Sequence, residues 1–243
     1  MRKVQRIGLQ PATVRLLARK QSVVQQAANP KAVAYSLWRR PPKAAFRDIR
    51  AALTTMAHGR ARCMYCEDSA GTDIDHFYPK SLYPLRTFSW DNYLSACSFC
   101  NSNCKRASDP LTSFGNRILL DPSIDDPADH LDFVPSTGEF LSRSQIGQSS
   151  IAVFGLNDCT APRRLPHGRK GTFIKLQLLL QAYDHEHAIG RADQAELIRS
   201  VVVDEPFSAV LGWLVRAAAS EGAAYVLAPE IPAIVARHAV ANW

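Results

Sequence analysis

The first 62 residues of this 243-residue chain contain a single acid, Asp48, against fourteen basic residues. A segment so short of carboxylates cannot neutralise itself. It suits a polyanion, because phosphate contacts release counterions and steer association. A solvated surface or an acidic protein partner would satisfy the same composition. The chain also lacks any run of 18 apolar residues, so no membrane span is expected. Its opening stretch, MRKVQRIGLQPATVRLL, has neither a continuous apolar core nor a small-residue cleavage site. That argues against secretion and makes a cytoplasmic location the expectation. No P-loop or dinucleotide fingerprint occurs, so the chain supplies no nucleotide-driven motor of its own. Internal repeats and low-complexity tracts are missing too. What remains, 47% hydrophobic and 21% charged, is the composition of an ordinary globular protein long enough for a sizeable core.

Residues 11–28 have helix-forming composition, with Val14, Leu17 and Ala18 near one face and Asn29-Pro30 as the stop. A short segment, AVAYSLWRR, ends at Pro41-Pro42. Residues 43–57 read as a further helix, with Phe46, Ile49, Leu53 and Met56 at helical spacing and His58-Gly59 ending it. This stripe reads as core. Residues 60–110 are turn-rich and hold five of the six cysteines. After them NRILLDPSIDDPADHLDFVPSTGEF alternates brief strand-like runs with Pro, Asp and Gly turns. Helical periodicity returns from Thr172 in TFIKLQLLLQAYD, HAIGRADQAELIRSVVV, PFSAVLGWLVRAAASEG and PEIPAIVARHAV. The expected fold class is α+β, mostly helical. A basic helical region (1–59) precedes a cysteine-bearing centre (60–125), and a mixed, then helical, region (126–243) packs on it.

In a reducing compartment six cysteines argue for metal or reactive thiols before disulfides. Cys63-x2-Cys66 and Cys97-x2-Cys100 are separated by thirty residues. Each turn aims two thiolates at one point, and two turns complete the tetrahedron that zinc prefers. Redox pairs are the competing reading, but a redox CxxC opens a helix in a βαβ setting. Cys104 and Cys159 fall outside the frame as ordinary thiols, although Cys104 lies close enough to Cys100 to substitute as a ligand. Four thiolates leave zinc no open position, so this metal is structural and the chemistry must lie elsewhere.

Between the knuckles stand Asp75-His76 and Asn92, and Asn101 directly follows Cys100. An isolated Asp-His pair is commonly a cap and a core histidine. In this frame the residues resemble the zinc-bound version of the HNH, or ββα-metal, nucleases: an acid-His pair on a strand, an Asn in the loop, and CxxC followed at once by His or Asn. The resemblance implies a ββα-metal core flanked by N- and C-terminal helices. It assigns His76 as general base, Asn92 as the residue orienting its loop or imidazole, and Asp75 with Asn101 as protein ligands of a catalytic ion. Asn101 stands where many members have His. Two oxygen ligands favour Mg2+ or Mn2+ there. Lys80, Lys105 and Arg106 are the candidate phosphate contacts, against the alternative of solvated surface charges. Elsewhere, His185-Glu186-His187 is not an HExxH motif and reads as an exposed helix start. Arg163-Arg164 and Arg169-Lys170, around a Pro-Gly loop, read as phosphate contacts or solvent-facing charges.

The segments MRKVQRIGLQP, CMYCE, DHFYPK, WDNYLSACSFCNSNCK, NRILLDPSIDDPADHLDF and GLND together resemble one HNH subfamily, the nuclease subunit of Septu-type antiphage systems, which also occurs with some retrons. That likeness implies a phosphodiester hydrolase acting on nucleic acid, with DNA favoured and RNA open, beside an ABC-type ATPase subunit. The reading from another class is a non-catalytic zinc module that binds nucleic acid or an ATPase.

Overall fold

Asparagine and proline punctuate the N-terminal helices. The computed structural model describes residues 1–243 and begins with an extended stretch followed by α1 (Pro11–Gln25). Asn29 then caps α2 (Pro30–Arg39): its side chain accepts a hydrogen bond from the Ala32 amide, and Pro30 occupies the first helical position, where no amide partner is needed. The AVAYSLWRR segment is therefore helical. In α3 (Lys43–Met56) the apolar stripe turns inward, with Ile49, Leu53 and Met56 buried. Phe46 meets Trp38 of α2 edge-on, ring centroids 5.1 Å apart.

Two short strands form the centre. β1 (Asp73–His76) pairs antiparallel with β2 (Tyr93–Ala96), Asp75 opposite Leu94 and His76 opposite Tyr93. A π-helical segment, Phe99–Lys105, follows β2. Its wide winding is visible in the Arg106 amide, which donates to the Asn101 carbonyl at 2.9 Å. An i→i+5 repeat brings residues five apart onto one face, and both buried residues of the segment, Cys100 and Lys105, are five apart.

The C-terminal half contains α4 (Pro127–His130) and a second hairpin of β3 (Leu131–Phe133) and β4 (Phe140–Ser142). After it come α5 (Gln145–Phe154), α6 (Leu165–Ala188), α7 (Ala192–Asp204), α8 (Ser208–Ala218), α9 (Ala223–Val226) and α10 (Ile231–Arg237). α6 starts seven residues before Thr172 and absorbs the supposed Pro-Gly loop. Gly138 makes that possible. It sits at φ +80°, and a Cβ there would lie 1.9 Å from the Pro166 carbonyl oxygen, so only glycine lets the helix start dock on the hairpin. Arg169, expected at the surface, is instead buried and donates to the carbonyls of Gly138 and Leu156 at 2.7 and 2.6 Å. His185 and His187 lie in the last turn of α6, not at a helix start.

One cluster of buried apolar residues runs from Met1 to Val240 and includes the four frame cysteines. Buried Glu67, next to the first knuckle, ties the regions together. Its carboxylate lies 3.2 Å from the Met1 amine and accepts from the Ser208 hydroxyl at 2.7 Å and the Ala209 amide at 3.2 Å. An anion at the first turn of α8 also complements the helix dipole. No helix is long and apolar enough to cross a membrane.

Candidate metal centre and the cavity beside it

The sulfur atoms of Cys63, Cys66, Cys97 and Cys100 all lie within 4.8 Å of one another, buried. Tetrahedral zinc–thiolate bonds of about 2.3 Å place sulfurs about 3.8 Å apart. Cys66 and Cys97 meet that spacing at 3.9 Å, and none of the four is in a disulfide. Burial pushes the Cys63 thiol well up, and a cation at the centre of the four sulfurs would offset that cost. The donor set therefore fits a tetrahedral ion such as zinc. Arg163 supplies outer compensation: its guanidinium reaches the sulfurs of Cys100 and Cys104, each at 3.6 Å. Cys104 stays outside the four-sulfur group, and Cys159 is exposed.

The frame sits under the β1–β2 hairpin. The Cys63 amide donates to the Ser69 carbonyl and the Met64 amide to the Ser95 carbonyl, both at 2.8 Å, which stitches the first knuckle to β2. The hairpin in turn presents Asp75 and His76 to a cavity of about 690 Å3. Asn101, Lys80 and Arg106 also line it, so most of the candidate residues converge on one space.

His76 is only 5% exposed. Its Nε2 lies 3.0 Å from the Thr87 carbonyl oxygen, so Nε2 carries the proton and Nδ1 keeps its lone pair. Trp38 packs edge-on against the ring with centroids 4.3 Å apart, and Tyr93 flanks it at 5.2 Å. Burial, with the positive charges of Lys80 and Lys105, lowers its pKa to about 3, although the Thr87 carbonyl opposes the shift. The imidazole is therefore neutral at ordinary pH.

Asn92 does not reach that ring. Fully buried, it accepts from the Tyr78 amide at 2.7 Å and donates to the carbonyls of Tyr78 (3.1 Å) and Arg86 (3.0 Å). It clamps the loop that carries Lys80 and Thr87, and so fixes the imidazole's anchor.

Lys105 corrects its sequence reading as a surface phosphate contact. Its side chain is fully buried, its Nζ 3.0 Å from Asp75 Oδ2 and 2.6 Å from the His76 carbonyl oxygen. The Tyr65 hydroxyl also donates to Asp75. A long cationic side chain enters the interior only because a buried carboxylate receives it. Lys80 is half-buried in the cavity wall, its pKa lowered chiefly by that burial, and no carboxylate pairs with it. Arg106 is exposed, its Nε donating to the Ser102 carbonyl at 3.2 Å. Asn101 donates its side-chain amide to Asp73 Oδ2 at 3.0 Å, leaving its side-chain oxygen free.

Sequence reasoning missed Trp38, Tyr35 and Lys31, which α2 brings to the cavity, and Thr87, which anchors His76. Tyr65 had a signal in its position between Cys63 and Cys66. The others had none, since each acts across a long stretch of chain. Several basic residues of the N-terminal region are also consumed structurally. Arg6 donates to the Trp90 and Tyr93 carbonyls at 2.9 and 3.1 Å, Lys20 to Leu37 at 2.9 Å, and Arg50 to Thr72 at 2.6 Å.

The chain matches no known family profile. It is 31% identical over 149 residues to the Septu protein PtuB of Bacillus mycoides (strain KBAB4), a match covering 48% of this chain and 50% of the relative. It is 30% identical over 101 residues to the Septu protein PtuB of Bacillus thuringiensis, covering 40% of this chain and 34% of that protein. The chain thus spans half or less of the length of the curated relatives it matches, and over that span it is similar to the Septu PtuB proteins.

Proposed function

We propose that the chain is a metal-dependent nuclease of the zinc-stapled HNH type that acts in antiphage defence. The observation that carries this reading is His76, a neutral imidazole with Nε2 anchored and Nδ1 free, beside Asp75, Asn101 and Lys80 in one cavity. Phosphodiester hydrolysis needs a base for water, positive charge for the phosphate and something to fix the base. Nδ1 accepts the water proton, Thr87 and Trp38 hold the ring, and Asn92 holds the loop that carries Thr87. Lys80 faces the phosphate as an unpaired cation. A phosphate beside Lys80 offsets the charge that depresses His76, and so strengthens the base when substrate is present. The order of antiparallel hairpin and helical segment agrees with a ββα-metal core.

Hard oxygen donors fit a divalent ion such as Mg2+ or Mn2+: Asp75 and Asn101 both line the cavity, and the Asn101 side-chain oxygen accepts no hydrogen bond. Such an ion, when bound, supplies charge neutralisation at the phosphate. The relatives' name supports the defence role, and the resemblance points to an ABC-type ATPase partner, which would supply the nucleotide-driven step for which this chain carries no P-loop. The exposed Arg15, Arg19, Arg40, Lys43 and Arg47, which form no ion pair, offer a second basic surface for nucleic acid or that partner.

The Lys105–Asp75 pair favours a second reading, a binding module without catalysis, because it already neutralises one proposed ligand. His76→Ala separates the two. On the nuclease reading, the complex with its ATPase nicks plasmid or cuts RNA in Mg2+ or Mn2+, and the variant loses cleavage while keeping its zinc. Cleavage that survives in the variant, or a wild-type complex that never cleaves, would sink the catalytic reading.

A further inference from the structure

We propose that the cavity beside His76 receives one unpaired nucleotide, its base stacked at Tyr35 and Trp38 and its phosphate held by Lys31, Lys80 and Arg106. This rests on the nuclease reading and deepens it by naming the substrate as nucleic acid presented single-stranded. The cavity, about 690 Å3, lies within the roughly 300–1,000 Å3 of pockets that enclose one small ligand. Its lining combines aromatic and cationic side chains. α2 contributes the aromatic side, with Trp38 edge-on to the His76 ring at 4.3 Å and Tyr35 57% exposed. The Arg39 guanidinium lies 5.8 Å from the Tyr35 ring, leaving its other side for a partner.

The lining also carries cations, Lys31 from α2 itself and Lys80 and Arg106 from outside it. Lys31, Lys80 and Arg106 have no carboxylate partner, while Asp75, the acid in the lining, is already matched by Lys105. Aromatic faces interleaved with free cations are the arrangement by which proteins hold single strands: bases stack, and the backbone follows the charge. A duplex keeps its bases stacked inside and offers only its backbone, leaving the aromatic wall unused. DNA and RNA single strands share the chemistry required.

Binding in magnesium-free buffer tests this without turnover. The probes are a labelled DNA 12-mer, the same sequence in RNA, the same DNA strand with an abasic position, and its duplex. Base stacking of this kind supports roughly tenfold tighter binding per base. The wild-type protein should therefore bind either single strand about tenfold tighter than the duplex, with the abasic strand weakened. Tyr35→Ala should erase that preference, Tyr35→Phe should keep it, and Lys31→Ala should weaken strand and duplex alike. A preference for the RNA or the DNA strand identifies the source. Duplex bound and cut as well as single strand would overturn the proposal while leaving the nuclease reading intact. Indifference of strand binding to Tyr35→Ala would overturn it too. Tyr35-dependent strand binding in a complex that never cleaves supports the cavity assignment and removes the nuclease reading.

Discussion

The ammonium of Lys105 sits 3.0 Å from the Asp75 carboxylate, and both side chains are buried. This pair links the π-helical segment to the first strand at the base of the cavity. Replacing Lys105 with Met leaves a buried carboxylate whose remaining side-chain partner is Tyr65. The expected loss is about 3–5 kcal/mol, because an uncompensated buried charge keeps its full desolvation cost. The double variant Lys105→Met with Asp75→Asn should recover much of it. Urea unfolding of the three variants checks this, and strictly additive losses would contradict the coupling.

Metal content should follow the four-sulfur frame alone. Cys63→Ser is expected to lose both the ion and cooperative folding, since structural zinc supplies folding free energy directly. Cys104→Ser and Cys159→Ser should retain metal, because neither sulfur joins the group. Elemental analysis beside thermal melting makes the comparison. A Cys63→Ser protein with full metal and unchanged Tm would refute the assignment.

Asn92→Ala removes three hydrogen bonds from a fully buried side chain and orphans groups of Tyr78 and Arg86. Unsatisfied buried polar groups cost about 1–3 kcal/mol each. Destabilisation of at least about 2 kcal/mol is expected in chemical unfolding. On the proposed nuclease reading cleavage should fall as well, because Thr87, which anchors His76, directly follows Arg86 on the clamped loop. A stable variant with full activity would show the clamp to be dispensable.

Tyr83 should ionise late. Its hydroxyl donates to Asp109, and that bond, ahead of burial and charge, pushes its pKa up to about 12. The sign follows: a raised pKa means that the tether is intact below the ordinary tyrosine value near 10. It is lost as pH rises through about 12. The group is only partly buried, so the effect on global stability is small. Ultraviolet titration of wild type against Tyr83→Phe isolates the transition, and ionisation near the ordinary value would contradict the bond.

Local pattern made much of the frame legible. CxxC brings two sulfurs together within one turn, so Cys63, Cys66, Cys97 and Cys100 were readable from spacing. The stripe Phe46, Ile49, Leu53 and Met56 was readable because helical period is a property of neighbours. Asp75-His76 and Asn101 were legible for a related reason: they lie beside the knuckles, and the frame delivers them to one cavity. Asn92 reads in the sequence as orienting the His76 loop or its imidazole; in the structure its side chain bonds the backbone of Tyr78 and Arg86 and not the imidazole.

Tertiary structure alone decided the rest. Whether Lys105 faces solvent or Asp75 depends on the winding of a π-helical segment, which no periodicity announces. Arg169 reads as a surface charge until α6 docks on the Gly138 turn and buries it. Trp38 reads as part of a short amphipathic piece until α2 packs over the hairpin and sets it on His76. The chain's own residues determined which chemistry was present. Long-range packing, by choosing which charges are desolvated and which are left free, determined where that chemistry faces.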